Sequence, residues 1–485
     1  MPTDRLSALD ETFLRIESDA AHLHVGWTLV FEGEPPSTEE LREHVAGRLP
    51  LLPRFRRRVI CSPLRLHDPV WVDHADFDIA NHVTRTSLPE PGGAAQLRAL
   101  AGALLSIPLD RAHPLWRLHL IDGLRDGGFA IVGQAHHALV DGIAAVEVAM
   151  LLLDGEPASR CSEPVSWSPE PGPGLPERVL ATAAERFRLG RSGASFAIRA
   201  MARPSAVGDG LAIARRIGSA LAGIGRSAPP TRLNRQIGPQ RTVAFAELSL
   251  PAAKELGRRC EATVNDVVLA TASLALGRCL HRGGEAPPWL RVFVPVSTRA
   301  AGRAAELGNE ISMVFVELPV GERNPRLALE EVSRQMRVHK RDGHAAGMRG
   351  LLQAAGMAPA AVRDGIAWMM TRPQTFNAVV SNVPGPRDPL YLLGRCVRAA
   401  YPAVPLVQGH GMSVGILSYR SVLHVGLYAD PGVVPDLTEV AADFTRSFDA
   451  MRFALAPAVP DGDDNGPAAP PRPHGPARRR ERVLV

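Results

Sequence analysis

The chain has 485 residues, 45% of them hydrophobic and 22% charged, enough for two or three domains with their own cores and too apolar for disorder throughout. Its net charge of +5 is spread along the chain, and without zinc-finger spacing or a basic helix interleaved with aromatic residues it argues against a nucleic-acid-binding protein. Five cysteines (Cys61, Cys161, Cys260, Cys279 and Cys396) at long spacings, with no CxxC pair, argue against a disulfide scaffold or a four-cysteine zinc site and fit a reducing cytoplasm.

The opening residues, Met1-Pro2-Thr3-Asp4-Arg5, do not read as a signal peptide, and no run of 18 uncharged apolar residues predicts a membrane span. Residues 9–18 open the fold. Leu23, Val25, Trp27, Leu29 and Phe31 alternate, which predicts a strand with one buried face. Pro35-Pro36 ends it, and a helix is expected from Thr38, as its cap, to Leu49. Arg54–Arg58 and Arg478–Arg482 are basic clusters that read as solvated faces.

Residues 116–121 and 129–135 read as two strands of a hairpin across the turn-rich stretch Asp122–Gly128. An apolar helix is expected over 143–153. Prolines 164, 169, 171, 173 and 176 mark a linker, and residues 177–227 read as two or three helices with basic faces, either packing helices or a lipid-facing surface. From Arg241 the pattern starts again. Strands are expected at 242–250, 290–296, 313–318, 376–383, 411–419 and 422–428, and helices at 252–260, 263–280, 325–339 and 438–453. The predicted organisation is an α+β chain divided into 1–165, a linker with crossover helices at 166–240, a second domain at 241–455, and a Pro/Gly/Ala-rich disordered tail at 456–485.

The chemistry concentrates in His136-His137-Ala138-Leu139-Val140-Asp141-Gly142. The histidines follow a strand whose other positions are largely apolar, so they sit at a sheet edge in a partly dry setting that keeps an imidazole neutral and basic. Adjacent side chains diverge, so only one of the pair can face an acceptor. Asp141 either supports the ring or caps the following helix, and Gly142 opens backbone conformations closed to other residues. The same residues also allow a purely structural turn, and metal binding is disfavoured because the histidines diverge and no HExxH helix is present. No G-x-S-x-G elbow, P-loop or dinucleotide fingerprint occurs in a suitable context.

This stretch matches the HHxxxDG pattern of the acyltransferases that share the chloramphenicol acetyltransferase fold. Over residues 6–454 the chain resembles the bacterial wax ester synthase/diacylglycerol acyltransferase family. The resemblance is carried in order by Leu6–Asp10 with Phe13 and Glu17, His24-Val25-Gly26, Pro53–Arg56, Trp71-Val72-Asp73, Phe77-Asp78, Pro114-Leu115-Trp116, Asn265-Asp266, Pro295–Arg299, Gly308-Asn309 with Ser312, and Ser381–Pro386. Ala21-His22-Leu23-His24 departs from the proline-methionine pair usual before the family's first strand.

The resemblance implies two chloramphenicol-acetyltransferase-like domains, each a mixed sheet packed with helices, with an active-site tunnel at their interface. It implies acyl-CoA as cosubstrate with no bound cofactor, and acyl transfer to diacylglycerol or a long-chain alcohol. Other readings of the same motif are a different hydroxyl or amine acceptor, or a silent lipid-binding member. His137 is the implied general base, and Asp141 a structural residue pairing with Arg299 or capping a helix. Asn265 positions the reacting groups or caps its own helix. Ser381 and Asn382 line the tunnel, and Pro384-Gly385-Pro386 shapes a rigid loop. The expected location is cytoplasmic, with peripheral contact at the inner membrane face or lipid bodies.

Overall fold

The computed structural model describes residues 6, 8–62, 66–139, 152–158, 167–184, 187–188, 226–297, 311–342, 348, 364–365, 368–369 and 371–456. Residues 143–151 of the expected helix, most of the basic helices at 177–227 and residues 457–485 of the tail lie outside these residues, and 152–153 form a turn rather than a helix end.

The first half opens on α1 (Ala8–Ile16), β1 (His24–Phe31) and α2 (Thr38–Arg48). Ser37, not Thr38, caps α2. Its hydroxyl accepts from the Glu40 amide, and the Glu40 carboxylate accepts from the Ser37 amide. This reciprocal pair satisfies two amides that the first helical turn leaves open. A short hairpin follows, β2 (Arg57–Ile60) and β3 (Val70–Asp73), then β4 (Val83–Ser87), α3 (Ala94–Leu105), β5 (Trp116–Asp122) and β6 (Phe129–His136). The basic cluster here is engaged with neighbours. Arg54 and Arg56 lie over the rings of Trp71 and Trp167, and Arg57 pairs with Asp73.

The second half contains β7 (Thr242–Ser249), α4 (Leu250–Arg259), α5 (Val264–Arg282), β8 (Leu290–Ser297), β9 (Ile311–Leu318), α6 (Pro325–Arg341), β10 (Ala378–Pro384), β11 (Tyr391–Leu392), β12 (Arg395–Ala403), β13 (Met412–Tyr419), β14 (Val422–Ala429) and α7 (Leu437–Ala454).

Two six-stranded mixed sheets organise the chain, each packed with helices in an α+β architecture. The second sheet runs β7-β14-β13-β10-β8-β9, with β10 parallel to both β13 and β8. The first runs β11-β12-β1-β6-β5-β4, so two strands from late in the chain complete a sheet begun at its start. Strand β12 pairs antiparallel with β1, from Gly26 opposite Ala403 to Phe31 opposite Val397.

That pairing corrects the expectation for β1. Every residue of the strand is buried, because it lies in the interior of its sheet with both faces covered. Val25, Trp27, Leu29 and Phe31 pack with α2 residues Leu41 and Val45 on one side, and Val30 joins the opposite core. Gly133 on β6 faces Trp27, and a Cβ added there would lie 2.2 Å from the indole. Gly133→Ala is therefore expected to destabilise the fold by about 1–3 kcal/mol through overpacking. Urea denaturation would check it, and a wild-type midpoint would show that Trp27 can yield.

No single described helix is long and apolar enough to cross a membrane. α4 and α5 together pass a length and hydropathy test but are bent by 101°, and α5 is largely buried in the core of the second half.

Candidate active site

His136 ends β6, opposite His24 of β1, and its amide donates to the Leu115 carbonyl at 2.9 Å. The chain then turns. The His137 amide donates to the Leu23 carbonyl at 2.9 Å, and the Leu139 amide to the His136 carbonyl at 2.8 Å. The Ala138 amide donates to His136 Nδ1 at 3.0 Å. An N–H donor there requires Nδ1 to carry a lone pair, so the neutral ring bears its proton on Nε2. His136 is thus both a wall residue and the organiser of the turn that presents His137.

The two imidazoles sit in different surroundings. His136 is fully buried, and burial pushes its pKa down to about 3, with His137, Arg111 and His24 adding to the effect. It stays neutral at physiological pH and places no fixed charge beside its neighbour. His137 is half-buried and its ring stacks on Phe13 of α1 with centroids 3.9 Å apart and planes at 23°. A half-buried imidazole held at a strand end, in contact with an aromatic face, is suited to take a proton from a hydroxyl group. Leu23, whose carbonyl anchors His137, has a φ of 48°, a left-handed conformation unusual for leucine.

Helix α1 contributes a second group. Glu17 continues its last turn, its amide bonding to the Phe13 carbonyl, and its Oε2 lies 3.8 Å from His136 Nε2. Arg111 Nε donates to the same oxygen at 2.8 Å, and the guanidinium also donates to the Leu14 carbonyl at 2.6 Å. Burial raises the Glu17 pKa, and Arg111 opposes that rise. Phe13 and Glu17 stand four residues apart, so helical spacing placed them on one face. Arg111, in the loop before β5, had no local sequence signal.

The other expected residues separate into groups. Asn382 Nδ2 donates to Asn265 Oδ1 at 3.2 Å, so β10 and the start of α5 are tied by two of the predicted side chains. Asn265 is not a cap. Thr263 caps α5 and forms a reciprocal box with Asp266, leaving Asn265 as the second helical residue. Ser381 is half-buried and projects from the face of β10 opposite to Asn382, as strand alternation requires. It shares its side with Val379, which packs toward Phe315, Phe376 and Met348. Asp141, Gly142 and Arg299 lie outside the described residues. Among the described residues no cluster of three or more His, Cys, Asp or Glu side chains could hold a metal, and Cys61, Cys260, Cys279 and Cys396 are free thiols.

Two family models match the chain. One, the wax ester synthase/diacylglycerol acyltransferase catalytic domain, spans residues 6–268, and the other, the C-terminal domain of the same family, spans 307–452. A probable diacylglycerol O-acyltransferase of Mycobacterium tuberculosis is 32% identical over 444 residues, covering 90% of this chain and 93% of the relative. A second M. tuberculosis relative, a putative diacylglycerol O-acyltransferase, is 31% identical over 471 residues, covering 94% and 97%. Among solved structures, a wax ester synthase/diacylglycerol acyltransferase from Marinobacter aquaeolei superposes with a TM-score of 0.66 at 24% identity, covering 93% of this chain and 99% of that one. The starter condensation domain of rhizomide synthetase, in complex with C8-CoA, superposes with a TM-score of 0.57 at 15% identity, covering 94% and 95%.

Proposed function

Because the chain belongs to the wax ester synthase/diacylglycerol acyltransferase family and is an acyl-CoA-dependent O-acyltransferase, we propose that His137 is its general base. We propose further that the acceptor hydroxyl belongs to diacylglycerol or a long-chain alcohol. The observation that carries the reading is the turn after β6, which presents a half-buried His137 beside a buried, neutral His136.

The His137 imidazole removes the acceptor hydroxyl proton as the oxygen attacks the thioester carbonyl. A tetrahedral oxyanion forms, the carbon–sulfur bond breaks, and the imidazolium returns the proton to the departing CoA sulfur. Holding both substrates at one carbonyl supplies much of the acceleration by making the encounter effectively unimolecular. Asp141 and Arg299 complete the structural support of the turn in this reading. Asn265, fixed by Asn382, holds the start of α5 against β10 near the reacting groups, and Ser381 lines the substrate path. That path is a tunnel between two chloramphenicol-acetyltransferase-like halves, divided near residues 166–240. The likeness to the Marinobacter and condensation-domain folds supports this arrangement.

The enzyme works from the cytoplasm at a membrane or lipid-body surface. Exposed Leu180 and Phe187 support an interfacial contact.

The test is product analysis with palmitoyl-CoA and three acceptors offered separately: dipalmitoylglycerol, hexadecanol and hexadecylamine. Triacylglycerol or wax ester, formed with matching release of CoA, is the expected result. Amide as the sole product would reassign the acceptor to an amine, and no acceptor-dependent product would make the chain a silent member.

A further inference from the structure

Helix α1 touches both histidines of the pair, although neither its composition nor its position in the chain marks it as catalytic. Phe13 covers one face of the His137 ring, and the Glu17 carboxylate lies 3.8 Å from His136 Nε2, beyond hydrogen-bond distance but close enough to act on its charge. Both groups depend on where the carboxyl-terminal end of the helix is held. One side chain ties that end to the loop before β5. Arg111 reaches from the loop between α3 and β5 and bonds simultaneously to the Leu14 carbonyl and the Glu17 carboxylate. Arg15 adds a tether in another direction, pairing with Glu11 in α1 and with Asp364 at 2.5 Å.

We propose that Arg111 is a positioning residue for acyl transfer: by clamping the end of α1 it keeps the Glu17 carboxylate 3.8 Å from His136 Nε2 and Phe13 on His137, which supports electrostatically the tautomer that the Ala138 amide requires and fixes the plane of the second ring. The physical chain is short. Glu17, held by Arg111, favours the Nε2–H form of His136. That form leaves Nδ1 as the acceptor for the Ala138 amide. The Ala138 bond closes the turn whose second residue is His137. Without the clamp, Glu17 is released and its electrostatic support for that tautomer is lost, while the strand bonds of β6 remain.

This role rests on His137 as the base, and its loss should give a kinetic pattern distinct from loss of that base. Arg111→Gln and Glu17→Gln are each expected to lower kcat roughly 10–100-fold, the size of effect that small misplacements of reacting groups produce. The KM for palmitoyl-CoA should change less than about threefold, because neither residue is assigned to substrate binding. The double variant should be no slower than the slower single variant, since both changes break one link. Arg111→Lys, which keeps the charge but cannot span the carbonyl and the carboxylate together, should also lose kcat while melting as the wild type does. This variant decides the matter should Arg111→Gln fail to fold.

A raised KM with unchanged kcat would overturn the proposal and make Arg111 a ligand for the substrate. Multiplicative losses in the double variant, or wild-type kcat in Arg111→Lys, would overturn it equally. Inactive wild-type protein would instead strike the underlying assignment of function, so the two failures are distinguishable.

Discussion

His137→Ala is expected to lower acceptor-dependent acyl transfer by about 10²–10⁴-fold, the usual contribution of a positioned general base, with little change in melting temperature. The ring is half-buried and stands after the strand bonds of β6, so its removal takes away chemistry more than packing. His136→Ala should behave differently. It empties a fully buried site and strands the Ala138 amide that now donates to Nδ1, a loss of about 1–3 kcal/mol for the unsatisfied group alone. It should therefore melt earlier and lose activity together. His136→Asn, which can still offer an acceptor to that amide, should recover part of both. Kinetics and thermal melts of the three variants check the contrast. Unchanged activity in His137→Ala would remove the base from the mechanism, and a wild-type melt with full activity in His136→Ala would remove the turn from it.

Acid should unfold this protein at a higher pH than carboxylate protonation alone would require. Burial lowers the pKa of His24 to about 3, of His136 to about 3, and of His82, His119 and His410 to about 4. Each is neutral in the folded chain at a pH where the unfolded chain, with histidines near 6.5, binds a proton. Stability contributed by these neutral rings is therefore present above pH 6.5 and falls as the pH drops from there toward about 3–4. At pH 5 a single such histidine costs about 2 kcal/mol, a sizeable share of the about 5–15 kcal/mol that stabilises a typical domain. The melting temperature should fall steadily below pH 6.5, with cooperative unfolding near pH 5. A melting temperature that stays flat from pH 7.5 to 5 would contradict this and would mean that the buried rings find partners when charged.

Local patterns in the sequence marked most of the regular elements of the second half and the hairpin that carries the site. The hairpin was visible because β5 and β6 are adjacent and share one turn. β12 was not visible. Arg395, Arg398 and Pro402 interrupt its apolar pattern, and its pairing with β1 joins residues far apart in the chain. The same blindness to distant neighbours made β1 look half-exposed. The capping errors were smaller. A hydroxyl residue stood at the expected start of α2, and the serine before it took the cap because Glu40 lies three residues beyond it. At α5, Thr263 with Asp266 displaced Asn265 by the same geometry.

The site shows the same division. His137 was legible from its strand-end position and its motif. Glu17 was named only as part of a resemblance, though its spacing from Phe13 already put both on one helical face. Arg111 could be found only from coordinates, because its two partners lie nearly a hundred residues away. The link between Asn265 and Asn382 likewise brings together two expected residues whose contact neither local pattern implied.

The most direct test of the account is release of CoA thiol from palmitoyl-CoA by wild type and His137→Ala side by side, with and without hexadecanol or dipalmitoylglycerol. Release should require acceptor, match ester formed mole for mole, and be lost in folded His137→Ala. Acceptor-dependent ester formation at the wild-type rate in that variant would contradict it.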